Sequence, residues 1–160
     1  SDGTPLEKFF PRSEWKYTVS SRKSNIQHFY TFVSPRLRAV HPSNFIRMAP
    51  DVASEQGIRS GDKVKVTTPY GAQVGEAFVT DGVASGVISI EHGFGHDEFG
   101  IRTHIVDGKP AFGIANLEKG VNHNKLGLLD PKRNGEFSLN DWLVGTCARQ
   151  ALPAKIRKIG

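Results

Sequence analysis

A mainly β chain, closed into a barrel or layered as a sandwich, is what this sequence predicts, and three observations predict it. Glycine and proline are abundant, at 17 and 9 residues, which favours strands joined by turns over a helical bundle. Short apolar–polar alternations recur between glycine turns across residues 60–91. With 160 residues and 38% hydrophobic content, the chain is one domain's worth and can bury a core without staples. No stretch approaches the roughly 18 apolar residues that a membrane span needs.

Each element follows from local pattern. Residues 1–17 carry Phe9, Phe10, Trp15 and Tyr17, broken by Pro11, and read as an arm that packs on the body. "KYTVSS" (16–21) alternates Tyr17 and Val19 with polar neighbours and reads as a strand. Residues 22–43 are polar and basic without clean periodicity, which gives a long functional loop with room for one short helical turn. "NFIRM" (44–48) is a short strand. Pro50 then opens a helix, since its missing N–H would be unpaired at that position anyway, and Gly57 closes it where φ turns positive. Ala49 is a weak cap. Val52, Ala53 and Gln56 can share one face of that helix.

Gly61-Asp62 is a turn, after which Val64 and Val66 alternate with Lys63 and Lys65 in a strand with one wet face. "PYGA" (69–72) is a hairpin turn, and "QVGEAFVTD" (73–81) the returning strand, where Gly75 predicts a bulge or sharp bend. A turn at Ser85-Gly86 leads to a buried strand of Val87, Ile88 and Ile90. Residues 92–138 are too rich in glycine and proline for long regular elements, and a final strand is expected within "WLVGTCARQALP" (142–153). The organisation expected is an arm at 1–17, a body at 18–152 and a basic tail at 153–160. The polar, acidic start carries no secretory signal, and its lack of a Met points to an excised domain.

The net charge of +5 and a pI near 9.5 leave anionic partners open. Cys147 is the sole cysteine, which excludes an intrachain disulfide and any Cys-x-x-Cys metal motif. There is no phosphate loop, no Gly-x-Gly-x-x-Gly and no Gly-x-Ser-x-Gly elbow. His92 and His96 have the spacing of a helical metal pair, but Gly93 and Gly95 argue against a helix there, and backbone-bonded loop histidines are the better account. What remains are polar loops. "SSRKSNIQH" (20–28) offers hydroxyls, cations, amides and an imidazole, and "GVNHNKLG" (120–127) two asparagines and a histidine. Amides read the edge of a purine or pterin, and Arg and Lys meet phosphate oxygens. Ordinary solvated loops would have the same composition.

The order of motifs goes further. Pro50, Ala53, Gly57-Ile58, Gly61-Asp62, Gly86-Val87, the turn His92-Gly93-Phe94-Gly95-His96 and the later "GVNHNKLGLLDPKRNGEFS" (120–138) resemble the molybdopterin-dinucleotide-binding C-terminal domain of the dimethyl-sulfoxide-reductase family, across roughly residues 16–150. "SSRK" (20–23) approximates that family's Thr-x-Arg pattern, and Phe94 stands where Trp is frequent.

The resemblance implies a six-stranded double-psi β-barrel with short helices and long functional loops, forming the end of a larger catalytic subunit that is inactive as an isolated domain. That subunit would hold molybdenum or tungsten between two pterin guanine dinucleotides, with an iron–sulfur cluster possible in its other domains. The candidate cofactor-binding residues are Ser21, Arg22, Lys23, Gln27, His28 and Thr31 in the first loop, His92, Phe94 and His96 in the glycine turn, and Asn122, His123 and Asn124 in the last loop. None is expected to be catalytic or to ligate the metal.

The double-Asn loop looks most like tetrathionate, arsenate and thiosulfate/polysulfide reductases. That implies as partners the other domains of the catalytic chain, an iron–sulfur electron-transfer subunit and a membrane anchor, with no direct membrane insertion and no nucleic acid. The implied location is periplasmic or otherwise extracytoplasmic for a tetrathionate- or thiosulfate-reductase-like enzyme, and cytoplasmic otherwise. The competing readings are a stand-alone double-psi barrel acting as adaptor or nucleic-acid-binding module, which the charge permits, and a small hydrolase using Cys147.

Overall fold

Six strands close on themselves around a core of branched aliphatic side chains. The computed structural model describes residues 4–27, 30–97, 104–111, 118–140, 143–146 and 148–160. The elements in chain order are β1 (Tyr17–Arg22), α1 (Pro35–Val40), β2 (Ile46–Met48), α2 (Pro50–Glu55), β3 (Lys63–Thr67), β4 (Ala72–Val79), β5 (Val87–Glu91), β6 (His104–Val106), β7 (Lys109–Ala111) and β8 (Leu152–Lys158). The barrel runs β1-β5-β2-β4-β3-β8, and β8 pairs back onto β1 to complete the ring. Two contacts are parallel, β1 with β5 and β2 with β4, so both require long crossovers, while β6 and β7 form a separate hairpin. The closed six-stranded barrel with only short helices agrees with the expected fold class.

The wall forms where the sequence pattern is cleanest. In β3, Val64 and Val66 are fully buried while Lys63 and Lys65 lie on the outer face. Their barrel neighbours Val19, Ile46, Met48, Ile88, Ile90, Leu152 and Ala154 are buried equally deeply. Pro50 sits in the first turn of α2, Ala49 makes no side-chain cap, and Gly57 follows the helix at φ +61°. The helix turns Val52 and Ala53 inward, and Gln56 Nε2 donates to Tyr17 Oη at 2.9 Å.

Two expectations need correction. Gly75 makes no bulge, for the β3–β4 register passes through it unbroken from Lys63↔Glu76 to Thr67↔Ala72. It is glycine because a Cβ there would collide with Val121 Cγ2 and meet Ile46 Cδ1 at 3.0 Å. The wall thus leaves room for a loop to press against it.

The second correction concerns the end of the chain. The last strand spans Leu152–Lys158 rather than 142–153, and residues 153–160 are not a basic tail. Leu152, Ala154 and Ile156 alternate inward between β1 and β3, so burial holds a segment whose charge drew the eye. Its cations are partly matched, with Lys155 Nζ 2.6 Å from Glu14 and Lys158 Nζ 2.8 Å from Asp62. In the first segment, Leu6 and Phe10 pack against the core.

Candidate functional site

One cavity of about 390 Å³ gathers residues from three loops at one end of the barrel. The first loop gives Ser21 and Phe32, and the turn after β5 gives His92, Gly93, Phe94 and His96. The last loop contributes Asn122, His123 and Asn124, and Arg149 completes the wall. Among the residues singled out from sequence, Arg22, Lys23, Gln27 and Thr31 do not line this cavity. His28 lies outside the described residues, as does Cys147.

Close backbone packing brings the loops together. Gly95, at φ +65°, lies so near the last loop that a Cβ would sit 2.5 Å from Asn122 N and 2.8 Å from Gly120 O. Asn44, just before β2, ties the same two segments from below. Its Nδ2 donates to Glu91 O at 2.6 Å and to Val121 O at 3.0 Å, and its Oδ1 accepts from Val121 N at 2.7 Å. The side chain is 1% exposed, and these bonds occupy both its oxygen and its amino group.

A second anchor is Glu91, buried at the end of β5. His41 Nε2 lies 2.7 Å from its Oε2, Arg22 Nη2 3.4 Å from its Oε1 and Arg47 Nη2 3.9 Å from the same oxygen. Arg22 leaves β1 and His41 follows α1, so one carboxylate clamps the first loop at both ends. Arg22 therefore faces Glu91 rather than the cavity.

The third anchor is Arg38 in α1, 1% exposed. Its Nε donates to Phe32 O at 2.9 Å and its Nη2 to Gly93 O at 2.8 Å, while the guanidinium lies 4.6 Å from the centre of the Phe94 ring. Burial lowers the pKa of this group, and Glu118 works against that shift.

Polar atoms left without partners cluster around these loops. His96 Nε2, His123 Nε2, Gln27 Oε1 and Arg38 Nη1 are all buried with no hydrogen-bond partner among the described residues. Gln27 Nε2 is engaged by His41 O at 3.0 Å, so the side chain braces the first loop. Burial pulls the His123 imidazole down to about 4, with His92 and Arg149 adding to the shift, so it is neutral at physiological pH. Burial also lowers His96, whose ring lies 4.7 Å from that of Phe32.

Asn122 Oδ1 accepts from Asn124 N at 3.0 Å, capping a single 3-10 turn at His123–Lys125. Asn122 therefore has donor capacity to offer a ligand, and Asn124 is exposed at the cavity. Ser21 Oγ accepts from Gln150 Nε2 at 2.7 Å. A cleft of amides, imidazoles and a guanidinium, with buried polar atoms still unmatched, suits a polar heteroaromatic ligand carrying phosphates.

Sequence reasoning missed Asn44, Glu91, Arg38, Phe32, Arg149 and Gln150, because each acts through a contact distant in the chain. A buried polar residue in an otherwise apolar context, as at Glu91 after Val87-Ile88-Ser89-Ile90, was the one local signal to be had.

Comparison with known proteins bears on the same region. Residues 17–133 match the family described as the Molydopterin dinucleotide binding domain. The chain is 40% identical over 159 residues to a tetrathionate reductase subunit of Salmonella typhimurium, covering 99% of this chain and 16% of that protein. It is 36% identical over 98 residues to a tetrathionate reductase subunit of Archaeoglobus fulgidus, covering 58% of this chain and 8% of that protein. A selenate reductase subunit of Mesobacillus selenatarsenatis is 26% identical over 134 residues, covering 76% of this chain and 13% of that protein. The chain thus spans at most about a sixth of the length of these relatives. Among solved structures, acetylene hydratase from Pelobacter acetylenicus superposes with a TM-score of 0.69 at 21% identity, over 99% of this chain and 21% of that one, which supports the fold. Among the described residues, no helix is long and apolar enough to cross a membrane.

Proposed function

The chain belongs to the molydopterin dinucleotide binding domain family, and on that premise we propose that its cleft holds part of a molybdopterin guanine dinucleotide within a tetrathionate-reductase-like catalytic subunit. The observation that carries this reading is the single cavity to which all three candidate loops contribute. The residues present fit such a group. Asn122 and Asn124 offer amides to a heteroaromatic edge, Ser21 and Arg149 offer donors to phosphate, and the imidazoles of His96 and His123 each keep an unmatched nitrogen. A volume of about 390 Å³ suits a portion of the dinucleotide, with the remainder held by other domains.

When bound, the cofactor supplies electron transfer at molybdenum or tungsten, and the domain binds, orients and tunes it. Phe94 and Phe32 shield the cavity from water. Arg22 and Gln27 fix the first loop rather than touch the ligand. The relatives named for tetrathionate and selenate support a reductase of oxidised sulfur or selenium oxyanions. Their being named as subunits supports a multi-subunit enzyme, to which we assign an iron–sulfur electron-transfer subunit, a membrane anchor and an extracytoplasmic location. An iron–sulfur cluster would belong to the remainder of the catalytic subunit.

Asn124→Ala in the complete subunit tests the site. Molybdenum content and the guanine nucleotide released by acid are expected to fall while barrel amides keep their hydrogen-exchange protection. Wild-type content of both in the variant would overturn the assignment.

A further inference from the structure

Arg38 is a buried cation without a counter-charge. Among the described residues no carboxylate lies within ion-pair distance of it, and Glu118, exposed, acts on it only at longer range. The nearby buried carboxylate, Glu91, is committed to Arg22, His41 and Arg47. Two Arg38 nitrogens are satisfied by carbonyls, but Nη1 is buried and meets no acceptor. Buried charges in folded proteins are paired, and leaving one unpaired is strongly destabilising. The groups that its guanidinium meets belong to the cavity wall: the carbonyls of Phe32 and Gly93 and the ring of Phe94. The cation therefore stands one layer behind the cavity, where low dielectric carries its field into the space.

We propose that Arg38 is the buried cation that makes this cleft select oxyanions, its missing counter-charge being the diphosphate of the bound nucleotide. The inference rests on the reading above and adds to it a selecting residue and the part of the ligand that it selects. Arg38 acts through the wall and is a positioning residue. A mere strut joining Phe32 to Gly93 would need only the two satisfied nitrogens, and a neutral side chain could serve. It would give no reason to bury a charge.

The experiment uses the complete catalytic subunit stripped of cofactor, titrated calorimetrically with GDP, guanosine and inorganic pyrophosphate. Wild type is expected to bind GDP about tenfold or more tightly than guanosine. Arg38→Gln is expected to lose that preference, GDP affinity falling about tenfold or more beyond any fall in guanosine affinity. Arg38→Lys, which keeps the charge but breaks the fork of two carbonyl bonds, is expected to retain it. Pyrophosphate should compete with GDP in wild type and not in Arg38→Gln. An unchanged GDP preference in Arg38→Gln overturns the proposal, and so does its loss in folded Arg38→Lys, which a strut predicts. Should wild type bind neither GDP nor guanosine, the nucleotide reading itself fails, a result distinct from either. Hydrogen-exchange protection of the β5 amides establishes that each variant is folded.

Discussion

The barrel wall and the loop cluster at its end are built on opposite rules. In the wall, β3 and β4 pair without interruption, apolar side chains alternate inward, and the lysines of β3 face out. At the strand ends and in the segments that surround the cavity, one carboxylate meets three cationic or imidazole side chains, and among the described residues an arginine is buried without an acid and four buried polar atoms lack partners. Arg47 Nε, on β2, is a further buried side-chain atom without a partner among the described residues. A fold optimised for stability alone would not leave such groups unmatched. The difference teaches that the wall is nearly complete in itself, whereas the segments around the cavity keep polar capacity that no described residue meets.

Four changes break or sharpen that contrast. The largest loss of stability belongs to the wall. Ile88 is fully buried, and Ile88→Ala should cost about 2–5 kcal/mol, read as a lower urea midpoint, with any cofactor loss following from unfolding. Next comes acid. His123 titrates at about 4 in the fold against 6.5 in the free side chain, so the unfolded chain binds the extra proton between those values. Its contribution is fully present above about pH 6.5 and is lost as pH falls towards about 4, to a total on the order of 3 kcal/mol. His123→Phe should flatten the fall in urea midpoint between pH 7 and 4.5. It should also leave the empty fold as stable as wild type at pH 7 or more so, while lowering molybdenum content in the complete subunit.

Asn44→Ala stands third. It leaves buried backbone groups of Val121 and Glu91 unmatched, at about 2 kcal/mol, and frees the last loop from the turn after β5. Hydrogen exchange should rise at residues 121–126 well before it rises in β3. Asn124→Ala is the smallest, within about 0.5 kcal/mol because the residue is exposed, yet it should lower cofactor content. Equal behaviour of Ile88→Ala and Asn124→Ala in both readouts would erase the distinction between wall and loops.

Legibility in the sequence divides along the same line. Pro50, Gly57, Gly61-Asp62 and the Val64/Val66 alternation are local signals, and each element they predict is present. The strand Leu152–Lys158 carried the same alternation, but its lysines and arginine dominated the reading, since charge is visible in sequence and burial is not. Gly75 was legible as special and misread as to cause, because the collision that it avoids comes from Val121, far along the chain. Of the loops, sequence could offer residue types but not which of them meet. Arg22 stands out in sequence by residue type, while its pairing with Glu91 is visible only in the fold, and Arg38 is one of five arginines and lysines spread over residues 22–47.

Strand β8 lies between β1 and β3 and pairs with both. During synthesis, then, the first five barrel strands emerge with two unsatisfied rims, and the gap is filled only when residues 152–158 leave the ribosome. The loops that form the cleft have all been made by that point, but they hang from an unclosed ring. The cleft therefore rests on a closed ring only after residues 152–158 have been made, which places its completion among the last events in the folding of this segment.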